Sequence, residues 1–411
     1  MHKTEVAIIG AGLSGLVAAI CLEKAGCTPV VYEAGNEVGG RVRTDEVDGI
    51  PLDHGFQVLL TDYPLTRKYL DYEKLELRRF LPGAILFQNG KKGAIGDPLR
   101  NTSFLLPTLF SNAAGLMDKW RIFRLSSDLK KKELRTIFSG VEETTLQYLE
   151  KYGFSDRVIA RFFKPFFSGI FLEDELSTSS KMFRFVYKMF ASGDAAIPKK
   201  GMQEIPKQLF GSLQHTKFHF NTRIHRIDGK TLYLDEDKSV AYDYVIIATD
   251  PTPLLQELKP SPVRWHSTQT LYFKCAKSTI GKPIIGLVGG GETLVNNIHY
   301  VTDLLSAKHP EAVLSVTIVK SHTLTDAALE KQVRKELLEE CGIDGLTFLR
   351  SYKIAKALPN LQSPTYDSRI IKYSDSIFLA GDHLANGSIN AAMRSGELAA
   401  QTLLEEVKTT R

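Results

Sequence analysis

The sequence predicts an α/β protein in which a doubly wound, Rossmann-like domain is interleaved with an α+β domain. Three observations carry this. The chain opens on a strand, a glycine turn, a helix and a second strand; apolar runs typical of parallel strands recur at its start, middle and end; and the stretches between them differ, one mainly helical and one rich in β signals. At 411 residues the chain also exceeds what one hydrophobic core usually organises. The first domain is expected from residues 1–60, 205–250 and 352–411, and the second from 61–204 and 251–351.

Taken in order, EVAII at 5–9 is a short apolar run with β-branched residues, which reads as a buried strand. Leu13, Leu16, Val17 and Ile20 then fall on one helical face, and Gly26 is placed to end that helix. PVVYE at 29–33 supplies the second strand. From about 61 to 200 the signals are mainly helical. SDRVIARFFKPFFSGIF (155–171) and SSKMFRFVYKMF (179–190) are dense in Phe, and Pro165 is expected to break or kink the first. Strands return over 217–247, ending in the continuous apolar run of YDYVIIATD, which suits a sheet covered on both faces. A β-rich stretch follows over about 266–319. Next comes an amphipathic helix capped by Thr325, with Leu329, Val333 and Leu337 on one stripe. SIFLAGD at 376–382 reads as a strand and 389–407 as a helix.

Composition narrows the function classes. An apolar fraction of 43% with 24% charged residues is ordinary for a soluble globular protein and excludes a disordered chain. A net charge of +5 over this length is no electrostatic footprint for nucleic acid. Cys21, Cys27, Cys275 and Cys341 form no CxxC pair and have no His at ligand spacing, so no structural metal is expected and a reducing compartment is the simplest reading. The apolar amino terminus resembles a signal peptide until its glycine spacing is noticed. No other window reaches the roughly 18 uninterrupted apolar residues of a membrane span, and a cytoplasmic protein is expected.

The chemistry is concentrated in two glycine motifs. In Gly10-x-Gly12-x-x-Gly15 the first glycine permits the tight turn, the second lets a pyrophosphate approach the backbone, and the third lets helix pack on strand. Free amides and the dipole at the helix start, near Leu13 and Ser14, attract the anion. Glu33 ends the second strand 23 residues after Gly10, where a carboxylate can accept both hydroxyls of a ribose and repels a 2′-phosphate. EVGGRVRT at 37–44 follows directly, with Gly39 and Gly40 offering open backbone and Arg41 a cation to the same diphosphate.

With these residues in hand, the stretch from Val6 to Thr44 resembles the opening of the flavin-containing amine oxidase superfamily, which includes protoporphyrinogen oxidase and phytoene-desaturase-like enzymes. LDHGFQVL at 52–59, YDYVIIATD at 242–250 and IFLAGDHLANGSINAAMRSGELAA at 377–400 resemble three further segments of that family. The resemblance implies bound FAD and hydride transfer from an organic substrate to flavin N5. It implies Gly10, Gly12, Leu13, Ser14, Gly15, Gly39, Gly40 and Arg41 along the diphosphate, with Glu33 and Ala34 at the adenosine ribose. Ile224 is implied at the adenine through its backbone, and Gly55, Phe56, Gln57, Ala248 and Thr249 near the cofactor. Gly381 and Asp382 are implied at its ribityl or diphosphate portion, and Ser388, Ile389 and Asn390 at the isoalloxazine edge. Independently, Ser388 is a natural N-cap, and a helix start beside the flavin would stabilise its reduced, anionic form.

Departures from the family's pattern bear on the substrate. The lysine that amine oxidases of this superfamily place near flavin N5 aligns here with Thr268 or Gln269, while Lys274 lies downstream and reads as an exposed strand residue. The short HLANGSIN segment lacks the aromatic residue of the amine cage. Both absences point away from amines and towards apolar C–C or ring substrates. Phe162, Phe163, Phe166, Phe167, Phe183, Phe185 and Phe190 read as an ordinary helical core or as the lining of an apolar pocket. The apolar SFLLPTLF (103–110) and basic LKKKELR (129–135) read as a solvated helical region or as a peripheral membrane contact. GLVGGGETL at 286–294 lacks a phosphate-loop ending and reads as a hairpin turn, and His54 and His383 are the histidines expected nearest the flavin, with either a proton-transfer or a packing role. Two alternatives remain beside the oxidoreductase. One is a redox-neutral polyene isomerase or C–C desaturase of the same superfamily. The other is a non-catalytic lipid carrier resembling the GDP-dissociation inhibitors. Substrate identity, electron acceptor and oligomeric state are left open.

Overall fold

The computed structural model describes residues 4–96, 114–234, 238–255, 263–289, 293–305 and 309–409. Strands from the start, middle and end of the chain meet in one five-stranded parallel sheet, in the order Lys217–His219, Val30–Tyr32, Val6–Ile9, Tyr244–Ile247, Ile377–Leu379. Side-chain alternation sorts this sheet into two buried faces. Ile8, Ile246 and Phe378 pack towards the helices Leu13–Lys24 and Ile389–Thr409. Ala7, Ile9, Val245 and Ile247 pack towards a small antiparallel meander (Arg226–Asp228, Thr231–Tyr233, Ser239–Ala241) and bury Ile224, Ile227 and Leu232 there.

A second, seven-stranded sheet runs Thr347–Pro359, Trp265–Cys275, Ala312–Ile318, Val295–Tyr300, Ile285–Val288, Gly83–Gln88, Lys91–Gly96. One face, with Leu271, Phe273, Val316 and Ile298, is covered by Leu329, Val333 and Leu337 of the helix Asp326–Cys341, which Thr325 caps as expected. The strand Thr347–Pro359 is continuous, so the boundary expected at residue 352 falls inside it.

Three expectations need correcting. The stretch 61–200 is not mainly helical throughout, because Gly83–Gln88 and Lys91–Gly96 form a hairpin on this second sheet. Its turn is Asn89-Gly90, both at positive φ (49° and 68°), which matches the twist of antiparallel strands. The basic stretch at 129–135 is not one helix: Leu116–Lys131 ends at Lys132, and Leu134–Phe138 is separate. Of the break or kink expected at Pro165, the break is absent. The run from Asp156 to Phe171 continues through a π-helical turn, Ile159–Phe163, immediately before the proline, which relieves the ring's clash with the preceding turn. The SFLLPTLF segment lies outside the described residues, as do residues 290–292 of GLVGGGETL, although Ile285–Val288 and Val295–Tyr300 do pair antiparallel. No helix among the described residues is long and apolar enough to cross a membrane.

A buried carboxylate holds the strand Ile50–Asp53 to Thr44 and to the segment just before the helix Glu204–Gly211. Asp53 Oδ1 accepts hydrogen bonds from Thr44 Oγ1 (2.5 Å) and from the Met202 amide (2.9 Å). Burial nevertheless pushes its pKa up from 3.8 to about 6. A carboxyl group whose folded value is raised stabilises the fold when protonated, and that advantage is lost as pH rises from the unfolded value through the folded one. At neutral pH the penalty is on the order of 3 kcal/mol. Asn keeps an Oδ1 acceptor without the charge. Asp53→Asn is therefore expected to raise the melting temperature at about pH 7.5 and to flatten its fall between pH ~4 and ~6. A variant less stable than the parent at about pH 7.5 would contradict this.

Candidate active site

The glycine turn after the first strand is shaped by close contact. Gly10 has φ +101°, and a Cβ on Gly15 would lie 2.0 Å from the Gly10 carbonyl oxygen, so only glycine lets the helix Leu13–Lys24 sit this near the strand. Gly12 is its N-cap, has no capping side chain, and has nothing within 4 Å of where a Cβ would stand. The first helical bond runs from the Leu16 amide to the Gly12 carbonyl (3.0 Å), so the amides before it are free for an anion.

Glu33 joins this turn to the second strand. Its carboxylate accepts from the Ala11 amide (2.8 Å) and the Gly35 amide (2.7 Å). Gly39 bridges Gly12, donating its amide to the Ala11 carbonyl (2.9 Å), and Gly40 packs over Gly12. Arg41 pairs with Asp382 from the far end of the chain, donates to the Ala357 carbonyl (3.0 Å) and lies 4.9 Å over the Trp265 ring.

The carboxy-terminal helix meets the amino-terminal one at a small-residue crossing. A Cβ on Gly396 would lie 2.0 Å from the Ser14 carbonyl oxygen. Ser395 Oγ, 3.4 Å from Ser14 Oγ, accepts from the Gly381 amide (2.8 Å). Ser388 caps the helix, accepting from the Ala391 amide (3.0 Å). Residues 10–15 and 381–390 therefore converge on one place.

That place is a cleft of about 530 Å³. Gly10, Gly12, Leu13, Ser14, Glu33, Gly39, Gly40, Arg41, Ala248, Thr249, Gly381 and Asp382 border its polar part, while Gly55, Phe56, Gln57, Ser388 and Ile389 lie further along. Gly15, Ala34, Ile224 and Asn390 do not border it. Gly15 is spent on packing, Ala34 is exposed, and Ile224 is buried against the meander. Asn390 is fully buried, with Oδ1 accepting from the Leu65 amide (3.0 Å), so it faces the helix Pro64–Tyr69 rather than the cleft.

The inner part of the cleft is an apolar chamber. Phe166, Phe171 and Phe190 line it with Ile170, Met182 and Val186, whereas Phe163, Phe167, Phe183 and Phe185 are buried core. Both readings of the Phe-rich helices therefore hold, for different residues. Of the two positions aligned with the family lysine, Thr268 borders the cleft, and its hydroxyl donates to the Ile318 carbonyl (2.8 Å). Gln269 points away and donates to Ser351 Oγ (3.0 Å). Lys274 is only partly exposed and pairs with Asp48 at 2.7 Å. His54 borders the cleft stacked on Tyr352, with ring centroids 4.1 Å apart. Burial pushes the pKa of His383 down, so its imidazole is neutral.

The residues present fit a long ligand with an anionic centre. The amides of the first helical turn face an open cradle, and Gln57 Oε1, Trp265 Nε1 and His383 Nε2 are buried at the wall without a partner among the described residues. Trp265, Ser395 and Gly396 were not anticipated. For Ser395 and Gly396 the sequence signal is a pair of small residues inside an otherwise amphipathic helix; Trp265, at the start of the strand Trp265–Cys275, carries none.

The sequence pattern of the family described as flavin containing amine oxidoreductase matches residues 13–276. The chain is 25% identical to the hydroxysqualene dehydroxylase of Sinorhizobium fredii over 444 aligned positions, covering 98% of this chain and 99% of that one. It is 26% identical to the chloroplastic/mitochondrial protoporphyrinogen oxidase 2 of Arabidopsis thaliana over 179 positions, covering 43% of this chain and 34% of that one. In fold it is similar to an oxidoreductase from Methanosarcina mazei (TM-score 0.73, 17% identity, 98% and 100% of the two chains). It is likewise similar to the cyclohexylamine oxidase of Brevibacterium oxydans (TM-score 0.71, 16% identity, 99% and 100%). These matches set aside the carrier alternative. The chain belongs to the flavin-containing amine oxidoreductase family and is an FAD-dependent oxidoreductase.

Proposed function

We propose that this enzyme transfers hydride between FAD and an apolar, isoprenoid-like substrate rather than oxidising an amine. The observation that carries this reading is the apolar chamber at the inner end of the cleft, walled by Phe166, Phe171, Phe190 and Ile170, with Thr268 where amine oxidases of the superfamily place lysine. A chamber of this kind favours a hydrocarbon chain by burial and offers an ammonium group little. The whole-length relative named for hydroxysqualene supports the same substrate class.

In this reading residues 1–60, 205–250 and the chain after the strand Thr347–Pro359 form the FAD-binding part, and 61–204 and 251–359 the substrate part. The diphosphate would lie on Gly10, Gly12, Leu13, Ser14, Gly39, Gly40 and Arg41, and the ribose at Glu33. Asp382 would take the ribityl chain, with the flavin ring between Phe56 and the helix start at Ser388 and Ile389. Bound FAD supplies a two-electron hydride acceptor. The chain's own part is to orient the substrate, exclude water and hold a positive helix end near the developing negative charge.

Anaerobic mixing of the yellow holoenzyme with polyenes is expected to bleach the flavin absorbance, and mixing with primary amines is expected to leave it unchanged. Bleaching by an amine would contradict the reading. The name of the whole-length relative adds a second arm to the test: run in reverse, the same transfer would replace a hydroxyl by hydrogen, consuming a hydride and a proton and releasing water. Prereduced enzyme would then be reoxidised without oxygen by a hydroxylated polyene.

Peripheral contact with a membrane surface is part of the proposal. Leu116, Met117, Trp120 and Phe123 stand 77%, 57%, 53% and 57% exposed on one side of the helix Leu116–Lys131, with Arg124, Lys130, Lys131 and Lys132 exposed beside them. An apolar stripe flanked by cations suits an anionic bilayer. The double variant Trp120→Glu with Phe123→Glu is expected to weaken cosedimentation with phosphatidylglycerol vesicles by about tenfold or more. Equal binding of parent and variant would remove this contact.

A further inference from the structure

The second sheet turns an unusual face towards the cleft. Its outer face is apolar, as a helix-covered sheet requires, but its inner face carries two ranks of polar side chains set by strand register. Thr270 pairs with Thr317, and Thr317 with Asn297; in the next rank Tyr272 pairs with Ser315, and Ser315 with His299. Cross-strand partners share a face, so these six form a contiguous grid over three strands. None is more than 4% exposed.

Most of this polarity is unused by the fold. Thr270 Oγ1, Asn297 Oδ1 and His299 Nδ1 are buried without a partner among the described residues, and the Asn297 amide reaches Thr317 Oγ1 only at 3.4 Å. Three buried orphans on one sheet face are costly where apolar side chains would serve, and such groups call for a ligand or bound water.

The grid's position says which. Asn297 and Thr317 border the cleft, as Thr268 does, and Asn297 Oδ1 lies 3.1 Å from where a Cβ on Gly169, next to Ile170 of the apolar chamber, would stand. Tyr272 and His299 border a separate cavity of about 20 Å³, room for one water, which Asp53 and Phe56 help to enclose. Phe56 lines both spaces. Burial pushes His299 down to about 3 and Tyr272 well up, so at physiological pH the imidazole and the phenol are both neutral. All six groups are therefore neutral donors or acceptors. Such a surface satisfies a hydroxyl and leaves an ammonium group without a counter-charge.

We propose that this grid is a specificity subsite: Asn297 Oδ1 accepts from, and the Thr317 hydroxyl donates to, a neutral hydroxyl group carried by an otherwise apolar substrate, backed by a water-sized space at His299. The inference rests on the chamber being the site for an apolar chain, and it adds which side chains receive an alcohol carried on that chain.

The test uses the FAD-loaded enzyme and two probes, farnesol and the hydrocarbon farnesene, with perturbation of the flavin spectrum as the binding signal. Farnesol is expected to bind about tenfold more tightly or better. In Asn297→Leu and in the near-isosteric Thr317→Val this advantage is expected to shrink to less than about threefold while farnesene affinity holds. Retained flavin absorbance shows that each variant is folded. Equal affinity of the parent for both probes, or an advantage that survives in both variants, overturns the subsite and leaves the apolar chamber standing. No binding of farnesene by the parent overturns the chamber and the subsite together.

Discussion

Replacing Gly396 with alanine is expected to give a protein that melts earlier and purifies with little or no FAD. The added methyl would lie 2.0 Å from the Ser14 carbonyl oxygen and 2.9 Å from its carbon, and both are backbone atoms that no rotamer change can move. The helices Leu13–Lys24 and Ile389–Thr409 would have to separate, at a cost of about 2–4 kcal/mol. Ser14 stands in the first turn of the helix proposed to hold the diphosphate, so the separation would also misplace that anion site. Gly15→Ala is expected to act alike, since its methyl would strike the Gly10 carbonyl oxygen at 2.0 Å. Gly211→Ala, with nothing within 4 Å of its Cβ, is the matched control. FAD content per chain and thermal melting check all three. A Gly396→Ala protein as yellow and as stable as the control would show that the crossing does not govern the site.

Loss of the Glu33 carboxylate is expected to weaken FAD by about 100-fold. This one group accepts from two amides, at Ala11 and Gly35, and so holds the glycine turn to the end of the second strand. Glu33→Ala would leave both amides unpaired and remove the acceptor expected for the ribose. Glu33→Gln keeps one acceptor oxygen but presents an NH₂ to the other amide, and about a tenfold loss is expected. Equilibrium titration of apoprotein with FAD, followed by flavin fluorescence, measures both. Unchanged affinity in Glu33→Ala would place the adenosine elsewhere.

The features legible in the sequence are those set by local chemistry. The spacing of residues 10, 12 and 15 specifies a turn that only glycine can make, and Ser388 and Thr325 announce helix starts because a capping hydroxyl acts within three residues. The Asn89-Gly90 hairpin was equally local, but its apolar residues were absorbed into the helical reading of the stretch around it. What could not be read depends on distant pairing. Nothing near Gly396 reveals that Ser14 presses against it, and nothing near Asn390 says that its carboxamide serves Leu65. The polar grid is hidden for the same reason: Thr270, Thr317 and Asn297 share a face only once three strands have found their register. Lys274 looked exposed because its partner Asp48 is more than 200 positions away in sequence.

The most direct measurement is a crystal structure of the yellow protein. Continuous density for FAD is expected in the cleft, with phosphate oxygens within hydrogen-bond distance of the amides near Gly12 and Ser14 and the flavin ring beside Ile389. Density for the cofactor outside the space between the two helix starts, or a cleft closed by the chain's own side chains in a protein that still carries FAD, would contradict it.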